Sequence, residues 1–322
     1  MLKEQTLTQT DYLTLRNGAA IQLRPNGGVL VITDVDRSDF VHRMTTNHIN
    51  ALKPGQSAVT VLTSPTARIV YVFTVICRQD DLLLLPALGE TAVLERYLRG
   101  QIFFMDKVKV RNASADYARL RVMGPKADAA LAAIEINLVD AIDGAWQAQN
   151  DVLAVKQLSY DVPGYEVIVP TTQLTAFIET LTAVGAVVMA DEAAYTAHRV
   201  ELGRPLPGHE LTNDYNPLEA GLGWTCADNK GCYTGQEIIA RQITYDKVTK
   251  TLVGLRSPQL LTVGAEITVD GRAVGVVTSV AYSPTLNTPI ALGIVKRPYN
   301  QPGGQATIGE SAAQIVTLPF VE

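Results

Sequence analysis

A cysteine between two glycines and close to a lysine is the feature of this sequence best suited to chemistry. Cys232 lies in the segment 230–237, which reads Lys-Gly-Cys-Tyr-Thr-Gly-Gln-Glu. Thr234 and Glu237 have the spacing of a capping box, so a helix is predicted to begin here. The positive end of that helix and the ammonium of Lys230 both favour a thiolate, which predicts a lowered pKa for Cys232. The alternative is a small side chain buried in a tight turn, because free cysteines are often buried.

The composition is that of a globular protein with a sizeable core. The chain has 322 residues, 47% of them hydrophobic and 18% charged, and this length favours two or three domains. Its net charge of -5 argues against nonspecific nucleic-acid binding, which needs a basic surface. The first residues lack the apolar core of a signal peptide. We therefore expect a cytoplasmic protein with no membrane partner and no direct nucleic-acid partner.

The cysteines and histidines form no recognisable disulfide framework or metal site. His42 and His48 are six positions apart, which on one helix places them on different faces. Cys226 and Cys232 supply two thiols, half of a zinc site at most. A redox pair of these two thiols stays open as an alternative, whereas Cys77 ends an apolar run and is expected to be inert. No metal is therefore predicted.

The apolar pattern predicts an α+β protein built from antiparallel units. The longest apolar run, at 69–77, is about half the length of a membrane span and fits a buried strand. Residues 36–48 fit a short helix, and residues 152–157 with 165–169 fit a hairpin.

Beyond residue 250 the pattern changes to short strands separated by Pro and Gly turns, which predicts a small β-barrel. We therefore predict two interleaved α+β domains at 1–245, divided near residue 115, and a C-terminal β-barrel domain at 246–322.

Several stretches resemble the YgfZ family, the folate-binding relatives of the aminomethyltransferase (T-protein) of the glycine cleavage system. Residues 230–237 carry that family's Lys-Gly-Cys-Tyr-x-Gly-Gln-Glu signature in full. Residues 199–222 precede it in the family's order, residues 45–56 are similar to its N-terminal helix and turn, and residues 293–297 to its barrel. The resemblance implies a GcvT-like cloverleaf of three domains around a central channel that holds tetrahydrofolate or a derivative. It also implies a role in assembling or maintaining iron–sulfur clusters in other proteins. The implied partners are iron–sulfur proteins or their assembly factors, and an effect on tRNA modification would be indirect.

One departure from the related transferases concerns catalysis. In the aminomethyltransferases a strand after a glycine-rich turn carries paired aspartates, one of which acts on the folate-bound carbon. The matching positions here hold Tyr71 and Val72, and no aspartate lies between Asp39 and Asp80. Because a valine cannot accept a proton, we expect no classical aminomethyl transfer, and a folate-dependent one-carbon transferase is the alternative function. Ala67 replaces a glycine that is common at the same turn.

The resemblance makes four residues candidate folate ligands. Glu201 takes the pterin-binding position, where a carboxylate can accept two parallel N–H bonds; the alternative is a solvated helix glutamate. Arg199 is either a ligand or the structural partner of Glu201 or Asp191. Tyr233 either stacks on the pterin or packs internally. Arg241 either reaches the glutamate tail of folate or pairs with a glutamate one turn earlier.

Within the signature, Cys232 is the candidate key thiol. Its thiolate has three open roles: to coordinate iron, to hold an adduct, or to shield a folate-borne one-carbon unit. Lys230 is expected to stabilise that thiolate or a folate carboxylate, and its alternative is surface solvation. The other motif positions are Gly231, Gly235, Gln236 and Glu237. The last of these is assigned to helix capping rather than to catalysis. A scaffold that has lost its ligand is a further hypothesis, against which the intact motif argues.

Overall fold

The chain, seen here in a computed structural model that describes residues 9–87, 89 and 91–321, divides into two compact units. The two-sheet unit contains Leu13–Ala190 and Thr225–Gln236. Of the described residues, the barrel unit contains Asp191–Trp224, those from Glu237 to Val321, and those from Gln9 to Tyr12. The boundaries expected near residues 115 and 246 stay predictions.

The strands of the two-sheet unit form one sheet of five and one of six strands. In chain order they are β1 (Ala20–Leu23), β2 (Leu30–Thr33), β3 (Ser57–Thr63), β4 (Ile69–Cys77), β5 (Leu82–Pro86), β6 (Lys109–Asn112), β7 (Tyr117–Met123), β8 (Trp146–Gln149), β9 (Val152–Gln157), β10 (Gly164–Pro170) and β11 (Val187–Val188). The five-stranded sheet has the order β3-β4-β5-β2-β6, and the six-stranded sheet has the order β11-β1-β7-β10-β9-β8. All neighbours pair antiparallel except β1 and β11, which are parallel.

The predicted buried strand is confirmed as β4, which covers the whole apolar run and lies between β3 and β5. One face of this sheet carries a core shared with the helices α2 (Arg37–His42) and α3 (Thr91–Gly100), including Phe40, Phe73 and Leu94. Fully burying a side chain of this size contributes roughly 1.5–3 kcal/mol. The helix expected over residues 36–48 is shorter than predicted, because α2 ends at His42 and a short 3₁₀ turn follows at Ile49–Ala51.

The other face of the five-stranded sheet packs on the six-stranded sheet of the same unit. Val31 and Ile76 from the first sheet share one buried cluster with Val155 and Ile168 from the second. The predicted hairpin is confirmed, since β9 and β10 pair antiparallel. The six-stranded sheet is covered on its far face by α4 (Ala127–Ala132) and α5 (Leu174–Ala183), the latter preceded by a 3₁₀ turn at Thr171–Gln173.

The barrel unit contains a closed six-stranded barrel, as the C-terminal turn pattern predicts. Its strands are β12 (Lys250–Arg256), β13 (Glu266–Val269), β14 (Arg272–Ser283), β15 (Thr288–Lys296), β16 (Gln305–Ile308) and β17 (Ser311–Val316). They close in the order β12-β15-β14-β13-β16-β17. Leu255, Ile267, Val295 and Ile315 are among the side chains that fill the interior.

Of the remaining helical segments, one carries Arg199 and Glu201 and another carries Arg241. These segments are α1 (Gln9–Asn17), α6 (Glu192–Glu201), a 3₁₀ turn at Gly223–Thr225 and α7 (Gln236–Thr244). Asp191 caps α6, because its carboxylate accepts the Ala193 N–H at 2.8 Å. Val200 of α6 packs on Ile290 and Leu292 of β15, which fixes the last turn of the helix against the barrel wall.

Candidate functional site

Lys230 holds the signature loop to the end of helix α2 within the two-sheet unit. Its ammonium donates to the backbone oxygens of His42 at 2.6 Å, Asn47 at 2.9 Å and Thr45. An ammonium has three N–H donors, so this set uses all of them. The cation also interacts favourably with carbonyls at a helix C-terminus. Lys230 therefore fixes the backbone of the loop that carries Cys232.

The two cysteines of the loop region differ in their surroundings. Cys232 is exposed, whereas Cys226 is partly buried, and both are free thiols. Burial raises the pKa of the Cys226 thiol to about 11, although hydrogen bonds and the charge of Lys230 act in the opposite direction. Burial lowers the pKa of Lys230 to about 8. Cys226 is therefore a neutral thiol near pH 7, and Cys232 is the accessible sulfur of the pair.

The start of helix α7 differs from the capping box expected of Thr234 and Glu237. The first helical residue is Gln236, and its side-chain oxygen accepts the Tyr233 N–H at 3.2 Å. The side chain that bonds back to the preceding backbone is therefore that of Gln236, one residue earlier than the predicted Glu237. The reason is Gly235, whose φ of 83° is a left-handed conformation that glycine adopts readily. Glu237 is exposed.

The same loop is anchored to the turn after strand β3. Thr63 donates from its hydroxyl to the Thr234 carbonyl at 2.5 Å. A Cβ added to Gly235 would lie 2.7 Å from the Ser64 carbonyl oxygen and 2.9 Å from the Ala67 Cα. This glycine is therefore required by close approach of two backbones, and the loop has little freedom to move.

Tyr233 is packed rather than presented at the surface. It is buried, and the Lys230 Nζ lies 4.7 Å from its ring centroid, a cation–π distance. Burial raises the pKa of the Tyr233 phenol. Of the two readings left open by the sequence, internal packing describes its contacts within this unit.

The sequence did not indicate that two histidines meet beside the loop. The rings of His42 and His48 are 5.0 Å apart, because α2 ends at His42 and the chain turns. The expectation that they lie on different faces of one helix is therefore wrong. Burial, with the positive charge of Lys230 and of His48, lowers the pKa of His42 to about 4. A Cβ on Gly231 would lie 4.0 Å from His42 Nε2, so a neutral imidazole faces the loop.

In the barrel unit, Glu201 is a buried carboxylate with its own hydrogen-bond donors. The Tyr12 hydroxyl lies 2.8 Å from Oε1 and 2.6 Å from Oε2. Ser283 donates to Oε1, and His198 Nδ1 lies 3.3 Å from Oε2. Burial alone would raise the pKa of Glu201, but the bonds from His198, Ser283 and Tyr12 lower it below its ordinary value. The alternative of a solvated helix glutamate is excluded, since Glu201 is 0% exposed.

Arg199 has different partners from those considered in the sequence. Its guanidinium donates to Ser279 Oγ at 2.9 Å and to the Arg204 carbonyl at 3.2 Å, and lies 3.7 Å from Glu210. Ser279 in turn donates to Glu210 at 2.7 Å. Arg199 therefore joins α6 to strand β14 and to the loop that follows the helix, rather than pairing with Glu201 or Asp191.

Neither an ion pair of Arg241 with Glu237 nor a metal-binding cluster is found among the described residues. Arg241 is exposed on α7, and within the described chain no ion pair joins it to Glu237. The same residues contain no group of three or more His, Cys, Asp or Glu side chains placed to hold a metal ion.

Most of this chain is similar to one known protein family. Residues 8–230 match the GCVT N-terminal domain, and residues 250–322 match the glycine cleavage T-protein C-terminal barrel domain. The chain belongs to the glycine cleavage T-protein family. It is 30% identical over 314 residues to a putative chloroplastic transferase of Arabidopsis thaliana, covering 95% of this chain and 72% of that protein.

Other members of the T-protein family are similar over nearly the whole chain. An aminomethyltransferase of Mycolicibacterium paratuberculosis is 27% identical over 330 residues, covering 98% of this chain and 89% of the relative. The crystal structure of the glycine cleavage system aminomethyltransferase T from Bartonella henselae superposes with a TM-score of 0.88 at 22% identity, covering 97% of this chain and 89% of that one. The expected α+β fold of the family, with its closed barrel, is thereby confirmed.

Strand β4 shows what this T-protein family member carries at the positions compared with the paired aspartates. Val72 is 2% exposed and pairs with Val61 of β3. Tyr71 is partly buried, and its ring lies edge-on to Tyr97 with centroids 5.8 Å apart. Ala67, in the turn before the strand, has a φ of 59°, a left-handed conformation that glycine adopts more readily than alanine.

No helix among the described residues is both long enough and apolar enough to cross a membrane.

Proposed function

We propose that this T-protein family member is a tetrahydrofolate-binding accessory protein of the YgfZ branch. In this proposal it serves the assembly or maintenance of iron–sulfur proteins, and its effect on tRNA modification is indirect. Cys232 is the key thiol. The proposal also includes a cytoplasmic location, although the Arabidopsis relative is named as chloroplastic.

The observation that carries the proposal is the contrast between an exposed thiol and a fixed loop. Cys232 is exposed, while Lys230 and Gly235 hold the backbone on either side of it. A thiol needs access to react or to bind a metal, and a rigid backbone keeps it in one place. Lys230 has its donors occupied by backbone oxygens, whereas Cys232 is exposed and free to react with a partner.

The feature of the barrel unit that best suits tetrahydrofolate is the carboxylate of Glu201. Glu201 is charged, because its pKa lies below the ordinary value, and a carboxylate accepts paired N–H donors such as those of a pterin edge. When bound, tetrahydrofolate supplies a nitrogen that can carry a one-carbon unit. Arg199 has buried protein partners, so ligand binding in this proposal depends mainly on Glu201, with Arg241 of the same unit as a secondary contact.

A binding and rescue experiment separates the ligand from the thiol. Titration calorimetry with tetrahydrofolate compares the wild type, Glu201→Gln and Cys232→Ala. The same variants are expressed in cells that lack the protein, with the activity of a cluster-dependent enzyme as the readout. We expect Glu201→Gln to weaken binding by tenfold or more, since it loses a charge-assisted contact worth about 1.5–3 kcal/mol. We expect Cys232→Ala to bind normally and to fail in rescue.

Cys226→Ala is the matched control, since it removes a thiol from the same region. It should rescue as the wild type does. Normal rescue by Cys232→Ala would overturn the role of the thiol, and absence of tetrahydrofolate binding by the wild type would overturn the role of folate.

A second function, folate-dependent aminomethyl transfer, is favoured by the names of the relatives. Those compared above are an aminomethyltransferase and a putative transferase. This reaction needs a proton-accepting group near the reacting carbon, and β4 offers Tyr71 and Val72 instead of carboxylates. An assay for methylene-tetrahydrofolate formation from an aminomethyl donor decides between the two functions. Turnover at a rate typical of enzymes, about 1 per second or faster, would replace the accessory role.

A further inference from the structure

Three large apolar side chains stand in solvent on one turn of the two-sheet unit. Phe103, Phe104 and Met105, together called the apolar tip, lie between α3 and β6 and are 68%, 98% and 73% exposed. Phe104 and Met105 take the central positions of a turn closed by the Asp106 N–H, which donates to the Phe103 carbonyl at 2.9 Å. Turns favour Gly, Pro, Asn or Asp at such positions. Neither core packing nor the conformation of the turn therefore accounts for these side chains.

The turn that carries the apolar tip is held in place by charged side chains. The Asp106 carboxylate accepts the Phe103 N–H at 2.8 Å and pairs with Arg43 at 2.5 Å. The Arg43 guanidinium also lies 5.9 Å from the centroid of the Phe103 ring, a cation–π distance. The backbone N–H of Lys107 donates to Asp36 at 2.8 Å. The turn is thus ordered before any partner binds, which lowers the entropic cost of binding.

The exposed charges beside the apolar tip are mainly positive. Residues 99–109 contain three exposed cations and one acid, whereas the whole chain has a net charge of -5. The cations are Arg99, Lys107 and Lys109. The acid, Asp106, is paired with Arg43. Glu95 and Asp34 pair with Arg99 and Lys109, whose side chains stay 58% and 79% exposed. Because exposed pairs of this kind are weak, the cations are available to an anionic surface.

The shape and size of the apolar tip favour a lipid surface over another protein. A standard protein interface uses roughly 800 Å² of each partner, with a complementary surface opposite. A large aromatic side chain buries roughly 150–250 Å², so three side chains at the end of a convex turn fall short of that area. A bilayer needs no complementary pocket, since its interfacial region accepts apolar side chains and its anionic lipids attract neighbouring cations.

We propose that the apolar tip inserts into the surface of an anionic membrane, with Arg99, Lys107 and Lys109 against the lipid headgroups. The insertion is reversible, because a short apolar segment with a few cations binds a membrane weakly. The lack of an apolar leader, on which the expectation of no membrane partner rests, does not exclude a contact made by a surface turn. The inference depends neither on folate nor on Cys232, so it can stand or fail separately from the proposed function.

Cosedimentation of the full-length protein with lipid vesicles tests this inference. The vesicles are phosphatidylcholine alone or with about 30 mol% phosphatidylserine, which supplies the negative surface. We expect the wild type to bind the anionic vesicles about tenfold more tightly than the neutral ones, because the cations lie near the headgroups. Phe104→Ser should weaken that binding by about tenfold or more, since it loses the burial of an aromatic side chain. Ile142→Ser is the matched control, because Ile142 is 70% exposed in the loop before β8 of the same unit, and it should bind as the wild type does.

Other outcomes identify a different role for the apolar tip. The inference is wrong if the wild type binds neither kind of vesicle, or if Phe104→Ser binds as tightly as the wild type. Sedimentation velocity without vesicles tests the other occupant. A wild type that self-associates and binds no vesicle, beside a monomeric Phe104→Ser, would replace the membrane by a second copy of this chain.

The fluorescence of Phe104→Trp reports insertion directly. On anionic vesicles its emission should shift to shorter wavelength by more than that of the wild type, whose tryptophans are Trp146 and Trp224. Equal emission changes in the two proteins would refute insertion of the apolar tip.

Discussion

Gly235→Ala tests whether the signature loop is held by close packing of its backbone. Gly235 has a φ of 83°, and a Cβ there would lie 2.7 Å from Ser64 O and 2.9 Å from Ala67 Cα. Both neighbours are backbone atoms, which cannot rotate away as a side chain can. The alanine must therefore shift the loop, the turn after β3, or both.

The expected cost has two parts. A left-handed conformation costs an alanine about 1–2 kcal/mol relative to glycine, and overpacking a tight contact costs about 1–3 kcal/mol more. We expect Gly235→Ala to lower the free energy of unfolding by about 2–5 kcal/mol. Gly231→Ala is the control from the same motif. The nearest atom to its new Cβ is His42 Nε2 at 4.0 Å, so its cost should stay within about 0.5 kcal/mol.

Urea unfolding of the two full-length variants measures this difference, and the rate of Cys232 modification by a maleimide reports the position of the thiol. Gly235→Ala should lose stability and change the rate, while Gly231→Ala should leave the free energy of unfolding unchanged. Equal stability of the two variants would refute the argument that close backbone packing requires a glycine at position 235 but not at position 231.

Four other substitutions have effects whose sign follows from the structure. Ala67→Gly should raise the free energy of unfolding by about 0.5–1 kcal/mol in urea, because Ala67 has a φ of 59°. His42→Gln should make stability less dependent on pH in the acid range. The pKa of His42 is about 4 in the folded protein and 6.5 ordinarily, so between these values the unfolded chain binds a proton that the folded protein does not. Acidification should therefore cost the wild type up to about 3 kcal/mol that the variant keeps, as measured by thermal unfolding at several pH values. Glu201→Gln should remove stability that is present above pH 4.5 and lost as pH falls through the lowered pKa of that carboxyl. Lys230→Met should cost about 2–4 kcal/mol in urea, because it leaves three carbonyls without their donor; a cost below about 0.5 kcal/mol would contradict the anchoring role.

The elements that the sequence predicts well are those whose signal is local. The apolar run at 69–77 admits a buried strand and little else, and β4 has those bounds. The hairpin of β9 and β10 follows from two strand-like runs on either side of a Pro-Gly turn. In both cases the hydrophobic pattern and the turn residues act over fewer than about 20 residues, the range over which a pattern constrains the backbone.

Helix α2 ends at His42, earlier than the apolar pattern predicts, and threonine side chains bond the backbone just beyond its end. Thr45 donates from its hydroxyl to the Val41 carbonyl at 2.9 Å, and the Thr46 hydroxyl accepts the Val61 N–H at 3.2 Å. Such residues offer the backbone an alternative to helical bonds. The Thr-Thr-Asn run at 45–47 was therefore a signal for a stop. It would have predicted the turn that brings His42 and His48 together.

The surroundings of Glu201 lie beyond any local pattern. Tyr12 is 189 residues away in the sequence, and Ser283 is 82 residues away on the other side. No spacing rule connects them, since the chain must fold before they meet. The resemblance to a known family made Glu201 a candidate ligand. Only the structure shows that the lone pairs of its carboxylate already accept hydrogen bonds within the protein.

The positions of Lys230 and Cys232 change how the signature should be read. A lysine near a cysteine suggests an activated thiol, yet the ammonium bonds three backbone oxygens and its charge acts on the partly buried Cys226. If Lys230 served mainly to ionise Cys232, a glutamine or methionine there would change reactivity and leave the fold intact. If it anchors the loop, the same change lowers stability first and misplaces the thiol as a consequence. Measuring stability and thiol reactivity on the same Lys230→Met protein distinguishes these, because only anchoring predicts that both change together.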